Sequence, residues 1–297
     1  MKASIIIPTY QGVHKIRNLL SGLMKQTERD FELIVVIDGS TDNTLEVVKS
    51  YEHQFEDFKV IFQENKGRSC TRNLGASQAR SEILIFYDDD VIPMENSVKK
   101  HIDFHKKMPD CLVSGNPVEI QSVENSDIQN YKVQLSKKWI AKYPDGLSKM
   151  DVNNLFFSSA NCSMRTITFS KLNGFDERLT DVEDFDLAFR ALKQGLGVYF
   201  DKANDSIHCD KITAASYVKR LRQYSVARQR WNEIHSIKSN RVKVGWKSLF
   251  YLLFASSLWI TAIDREFFLR IPGKLRYKLY DIIIQSMAIE FPKSKLT

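Results

Sequence analysis

The sequence predicts an α/β fold, a mostly parallel sheet flanked by helices on both faces, and two observations carry that prediction. Short, continuous Ile/Val/Leu runs bounded by polar turns suit strands that are buried on both sides. Between them lie segments whose apolar residues recur at helical spacing, the alternation that builds a covered parallel sheet.

The elements follow in order. "ASIIIPTY" (residues 3–10) is a continuous apolar strand, and Ile16, Leu19, Leu20 and Leu23 then mark one face of a helix. "FELIVVID" (31–38) is a second strand, followed by the turn "GSTDN" and a helix with Leu45 and Val48 on one face. "FKVIFQ" (58–63) is a third strand, and a helix opens at Ser69 after the loop "ENKG". "EILIFYD" (82–88) is the fourth. Beyond Pro93 the alternation loosens. A helix is expected over residues 94–108 and a strand at "CLVSGNPVEI", then a polar, partly helical stretch to about Tyr143. After it come "LFFSSANCSMR", "LNGFDERL", a helix over 181–194, and "GVYFDKANDSIHCD". From Thr213 the chain reads as helical and basic.

Composition places limits on function. With 297 residues, 43% hydrophobic and 27% charged, the chain is ordinary for a globular protein and is not read as disordered. Its formal charge of +7 is concentrated: residues 202–247 hold eleven Lys or Arg against Asp205, Asp210 and Glu233. Such a collar implies an anionic partner, of which a membrane surface, nucleic acid and phosphorylated substrates are the options. Cys70, Cys111, Cys162 and Cys209 have no metal-type spacing and read as reduced thiols. The apolar run in "MKASIIIPTY" ends at Pro8, too short for a signal-peptide core, so an uncleaved cytosolic start is expected. Ser248–Ile263 lacks charge over sixteen residues. That is short of the roughly 20 a spanning helix needs, so a buried or interfacial helix is expected in preference to a short or re-entrant membrane segment.

The polar strand ends hold the chemistry. In covered parallel sheets, ligands bind at the carboxyl ends of strands. Three such ends carry Pro8-Thr9-Tyr10, Asp38-Gly39-Ser40 and Asp88-Asp89-Asp90. Three adjacent carboxylates behind an apolar strand repel one another unless water, a helix cap or a cation holds them. Arg68 and Arg72 flank a helix start where N–H groups and guanidinium can face phosphate. In "TDVEDFDLAFR" and the residues just after it, Val182, Phe185, Phe189 and Leu192 mark a buried helix face; Thr180 and Glu183 fit a capping box, and Asp184 lies on another face.

The ordered set "SIIIPTYQG", "IVVIDGSTDNT", "NKGRSCTRNLGA", "FYDDDVIP", "GFDE" and "EDFDLAFR" resembles a family 2 glycosyltransferase of the GT-A fold over residues 1–210, with a basic helical extension at 211–297. The resemblance implies an inverting enzyme that takes a sugar from a nucleotide-diphospho-sugar, UDP-linked by preference, to a glycan or lipid-linked hydroxyl. It implies that Pro8, Thr9, Tyr10 and Asp38 hold the nucleoside, and that Arg68, Arg72, Asp88 and Asp89 complete the donor site. Asp88 and Asp90 would bind Mn²⁺ or Mg²⁺, with His208 as a further ligand and Asp90 the direct one. Of the two arginines, Arg72 would be the donor contact. Asp184 would be the catalytic base. Asn161, Phe175, Asp176 and Glu183 would lie on the acceptor side. Trp139 reads as a packed tryptophan before a sugar-stacking one.

Two other classes fit parts of the sequence. "DDDV" satisfies the pattern of a haloacid-dehalogenase-like phosphatase, but it follows the fourth strand and leaves Thr9, Asp38 and Arg72 without a task. A non-enzymatic basic module is the other; "SYVKRLRQYSVARQRW" lacks a nucleic-acid motif. The collar is better joined to the enzyme reading, as peripheral contact with an anionic cytoplasmic membrane face.

Overall fold

The structure is a computed structural model and describes residues 1–237 and 253–288. Its described part forms two compact units, one of residues 1–120 and 139–210, the other of residues 121–138 and those beyond 210. Residues 121–138, expected in the first domain, belong to the second unit.

The first unit is a mixed sheet of nine strands with the order β3-β2-β1-β4-β8-β6-β9-β5 and β7 added on β9. β1 (Ala3–Thr9), β2 (Phe31–Asp38), β3 (Phe58–Gln63) and β4 (Ile83–Tyr87) run parallel. β8 (Asn161–Arg165) is antiparallel to both β4 and β6 (Cys111–Glu119), and β6 pairs in parallel with β9 (Gly197–His208). β5 (Val91–Pro93) and β7 (Leu147–Lys149) pair antiparallel with β9.

The apolar runs are continuous because both sheet faces are covered. Every residue of β1 and β2 is buried. Ile5, Ile7, Leu33 and Val35 point to a core completed by α1 (Ile16–Met24) and α4 (Ser97–Lys107). Ile6, Leu84 and Phe86 point the other way, to α6 (Thr166–Lys171) and α7 (Glu183–Lys193). α2 (Thr44–Lys49) and α3 (Arg68–Ser77) complete the parallel half. The helix expected over 94–108 forms as α4, three residues later at its start, because Pro93 ends β5 and Asn96 precedes the first turn. Trp139 packs against Tyr143, Phe156 and Phe200, as a core residue would.

The second unit has its own core, in which Ile128 and Tyr131 from α5 (Asp127–Ile140) meet residues of α8 (Ala214–Ile234), α9 (Ser257–Asp264) and α10 (Gly273–Ala288). The buried Asp127 carboxylate accepts hydrogen bonds from Tyr280, Tyr277 and Arg276. That polar knot, together with Ile128 and Tyr131, draws residues 121–138 into this unit. No described helix is long and apolar enough to cross a membrane. Residues 248–252 of the uncharged segment lie outside the described residues; residues 257–264 form α9.

Gly75 lets α3 lie close against β1 and β2, since a Cβ there would sit 2.4 Å from Ile6 Cγ2 and 3.2 Å from Val36 Cγ2. Gly75→Ala should therefore push α3 off β1 and destabilise the protein by about 1–3 kcal/mol. An unchanged urea midpoint would show that the helix can shift freely.

Candidate active site

Sheet register builds the site. β1 and β4 pair with Ser4 opposite Leu84 and Ile6 opposite Phe86, so Thr9 comes to lie opposite Asp89. Thr9 Oγ1 donates to Asp89 Oδ2 at 2.6 Å. β2 ends beside them at Asp38, and β5 carries the aspartate turn to β9, where Val91 faces His208. Tyr10, just past β1, is half exposed.

The three aspartates are held in three different ways. Asp88 Oδ1 receives Arg72 Nη2 at 2.6 Å. Burial pushes Asp88 upward, but Arg72, Arg68 and His208 outweigh it and hold the carboxyl below its ordinary range. Asp89 is pushed up to about 6 by burial and by neighbouring Asp90, against the Thr9 hydrogen bond. Asp90 is also raised, by burial first and then by Asp88. Its Oδ1 is buried without a hydrogen-bond partner and faces His208 Nε2 at 3.7 Å. The other ring nitrogen, Nδ1, lies 3.0 Å from Glu119 Oε1. With Nδ1–H donated to Glu119, the Nε2 lone pair is turned toward Asp90, an arrangement suited to a shared cation. Lys15 Nζ approaches the other Asp90 oxygen at 3.9 Å.

Arg72 joins this turn to α7. Its guanidinium is 1% exposed and donates to Glu183 Oε1 at 2.7 Å as well as to Asp88. The Phe175 ring lies 5.4 Å beneath it. The Thr180–Glu183 capping box expected from sequence does not form, because the Glu183 side chain is taken by Arg72. α7 instead begins after Val182, whose φ of 60° is strained for a β-branched residue. Asp184 follows, accepting from its neighbour Phe185 N at 2.7 Å and from Ser159 N at 3.3 Å. Burial, then the adjacent Glu183, lift the Asp184 carboxyl to about 7. That is where a general base works best near neutral pH.

Several expected positions are corrected by this geometry. Arg72 is enclosed by protein carboxylates and does not present itself to a phosphate; Arg68, half exposed and 3.2 Å from Asp181, is the open cation of the pair. Asn161 is fully buried, bonded to His101 Nε2 and to Asn204 O, where it serves the core. Phe175 is 1% exposed and packs on Phe86 and Phe169, and Glu183 is buried against Arg72, so neither is open to an acceptor. Asp176 is tied to Arg178. Both Asp38 oxygens are engaged, by Gln63 Nε2, Lys66 N and Gly67 N, so this carboxylate organises the loop before α3. Asp90 and His208 come together as expected, but Asp88 turns to Arg72, and among the described residues no group of three or more His, Cys, Asp or Glu is arranged to hold a metal. Sequence reasoning missed Lys15 and Glu119. Glu119 had a signal, since it ends the predicted strand that pairs with "SIH" and lies opposite His208.

Comparison with known proteins gives this arrangement a class. *Staphylococcus aureus* TarS 1–349 in complex with UDP-GlcNAc superposes with a TM-score of 0.54 at 19% identity, covering 97% of this chain and 90% of that one. A mannosyltransferase of *Pyrobaculum calidifontis*, PcManGT, in complex with GDP-Man and Mn²⁺ gives a TM-score of 0.61 at 15% identity, covering 96% and 85%. The fold is therefore that of the GT-A glycosyltransferases. More particularly, the model of Glycosyl transferase family 2 matches residues 4–172, and the chain belongs to that family. It is 27% identical to the uncharacterized glycosyltransferase YfnE of *Bacillus subtilis* strain 168, covering 80% of this chain and 72% of the relative. It is 29% identical to validoxylamine A glucosyltransferase of *Streptomyces hygroscopicus* subsp. *jinggangensis*, covering 65% and 52%. The protein is a glycosyltransferase, which sets the phosphatase reading aside.

Glu183→Gln should keep a hydrogen bond to Arg72 but remove the charge that disfavours ionised Asp184. The Asp184 carboxyl should then titrate below its present value of about 7, as read by carboxyl ¹³C NMR. An unmoved titration would remove Glu183 as the neighbour that tunes it.

Proposed function

We propose that the protein transfers a sugar from a nucleotide-diphospho-sugar to an acceptor hydroxyl with inversion, with Asp184 as the base. The observation that carries this is the half-buried Asp184 carboxyl, raised to about 7 and set one residue from the Arg72–Glu183 pair that reaches Asp88. Asp184 and His208 lie beyond the residues matched by the family model, so their roles rest on geometry.

The donor nucleoside is assigned to the ends of β1 and β2. The half-exposed Tyr10 ring beside Pro8 and Thr9 offers a face for a base, with Asp38 holding the loop next to it. UDP is the favoured nucleotide, supported by the TarS complex, with GDP the alternative that PcManGT suggests. Arg68 and Lys15 are the open cations nearest the aspartate turn, and they would meet the diphosphate.

The residues suit a divalent cation in their chemistry: Asp90 offers a buried oxygen without a hydrogen-bond partner, and His208 a ring nitrogen oriented by Glu119. Asp90 and His208 would hold Mn²⁺ or Mg²⁺, whose chemistry when bound is to stabilise charge on the departing diphosphate. Mn²⁺ accompanies both PcManGT and another neighbour, GalNAc-T7. Asp184 accepts the acceptor's hydroxyl proton as that oxygen bonds to the anomeric carbon and the bond to the donor diphosphate breaks. One carboxylate suffices on the protein side, in a transition state of oxocarbenium character like that of glycoside hydrolysis. A glycan or lipid-linked acceptor in surface polysaccharide or glycan synthesis, reached from the cytoplasmic face of a membrane, is the setting we favour.

A thermal-shift screen of UDP, GDP and dTDP with and without Mn²⁺ tests donor and metal together. One nucleotide should stabilise the protein more with Mn²⁺, and Asp90→Asn should remove the added shift; equal shifts with and without metal would overturn the metal assignment. Asp184→Asn should lower kcat by at least about 100-fold while leaving nucleotide binding near wild type. Normal turnover in that variant would transfer the base role elsewhere.

A further inference from the structure

We propose that the second unit docks on an anionic lipid surface through the face formed by α9, the turn after it and the start of α10. This names a surface for the membrane setting favoured above, but it rests on the second unit alone and not on the transfer reaction.

The observation is a run of exposed apolar residues in a small helical unit whose core is already filled. Ile260, Ile263, Tyr280, Ile283 and Ile284 already fill the unit's core. Yet Leu253, Leu258, Phe267, Leu269 and Leu275, within the same short span of chain, are each more than half exposed, Leu258 at 77% and Phe267 at 69%. Leu258 stands on the exposed side of α9, Phe267 and Leu269 in the turn after it, and Leu275 in the first turn of α10, so the exposed apolar residues follow the chain from one helix into the next. Scattered single apolar residues on a surface need no explanation, but five within twenty-three residues are a concentration of another kind.

Charge selects the occupant. Arg265, Arg270, Lys274 and Lys278 are exposed and alternate with these apolar side chains. Of the two acids of the span, Glu266 accepts from Asp127 N, and Asp264, itself exposed, accepts from Ala214 N and Ala215 N at the start of α8, so four exposed cations stand against one exposed, hydrogen-bonded acid. Arg276, the remaining cation, is directed inward to Asp127. What is presented outward is therefore cationic and apolar together. A leaflet of anionic lipid meets both demands, with phosphate for the Arg and Lys heads and the acyl boundary for Phe267 and the leucines. A second copy of this face would bring like charges together, so a symmetric dimer across it is disfavoured.

The test uses the full chain, sedimented with vesicles of phosphatidylglycerol and phosphatidylcholine or of phosphatidylcholine alone. The protein should pellet with the anionic vesicles at low salt and be released as salt rises. Lys274→Glu/Lys278→Glu should weaken that binding by about tenfold or more. Phe267→Asp/Leu275→Asp should weaken it comparably, with melting temperature and nucleotide-induced thermal shift unchanged as evidence that both units remain folded. Failure to pellet with anionic vesicles at low salt, or equal pelleting by the variants, would overturn the proposal. So would light scattering that shows an oligomer dispersed by Phe267→Asp/Leu275→Asp, because the face would then be a subunit interface. None of these results bears on catalysis, so the transferase reading stands or falls separately.

Discussion

A guanidinium with almost no contact with water has to be surrounded by groups that replace its hydration, and at Arg72 those groups come from three parts of the chain. Asp88 supplies one carboxylate, Glu183 the other, and Phe175 a ring face. Removing a charge of this kind from water costs several kcal/mol unless its partners are well placed, so all three are held in one geometry. The first aspartate of the strand-end triplet is thereby tied to the helix that carries Asp184. The strained backbone at Val182 is accommodated at the same junction, where Arg72 holds Glu183 and Arg68 reaches Asp181.

The same principle accounts for the aspartate triplet. Three neighbouring carboxylates are tolerable because each is answered by a different element: Asp88 by α3, Asp89 by the Thr9 hydroxyl at the end of β1, and Asp90 by His208 on β9 with Lys15 at the entry to α1. Of the three, only Asp90 retains a buried oxygen without a hydrogen bond, and the metal proposal rests on that oxygen. Glu119 is part of this economy of charge, because it orients His208 from the neighbouring strand. The aspartate turn and the start of α7 are thus joined by ion pairs and hydrogen bonds within one unit of the protein.

The two units differ in how they use polar groups. In the first, buried acids and a buried arginine are gathered at strand ends and leave functional atoms open. In the second, Asp127 is closed off by Tyr277, Tyr280 and Arg276, a purely structural knot, and the cations left over face outward. The buried ion pairs and the exposed cations are therefore separated along the chain, in keeping with the basic collar that follows the sheet.

What the sequence by itself determined is the sheet and its polar edge. The continuous runs at 3–9, 31–38 and 83–87 could only be strands covered on both faces, and their ends had to carry Thr9, Asp38 and the aspartates to one side. Periodicity is a local property, and it was legible for α1; in α7 it marked the helix but not its buried face, which is Leu187, Ala188 and Ala191 with Phe189, while Val182, Phe185 and Leu192 are only partly buried. Tertiary structure alone decided which polar residue meets which. Arg72 and Glu183 are separated by 111 positions and Asn161 and His101 by 60, and no local pattern records that the first pair would enclose a charge or the second fill a core. The resemblance set Asn161, Phe175 and Glu183 on the acceptor side, yet all three are buried, because burial is set by the elements that fold over them. A buried charge or amide takes its role from its partner, and partners are chosen by the sheet's long-range register.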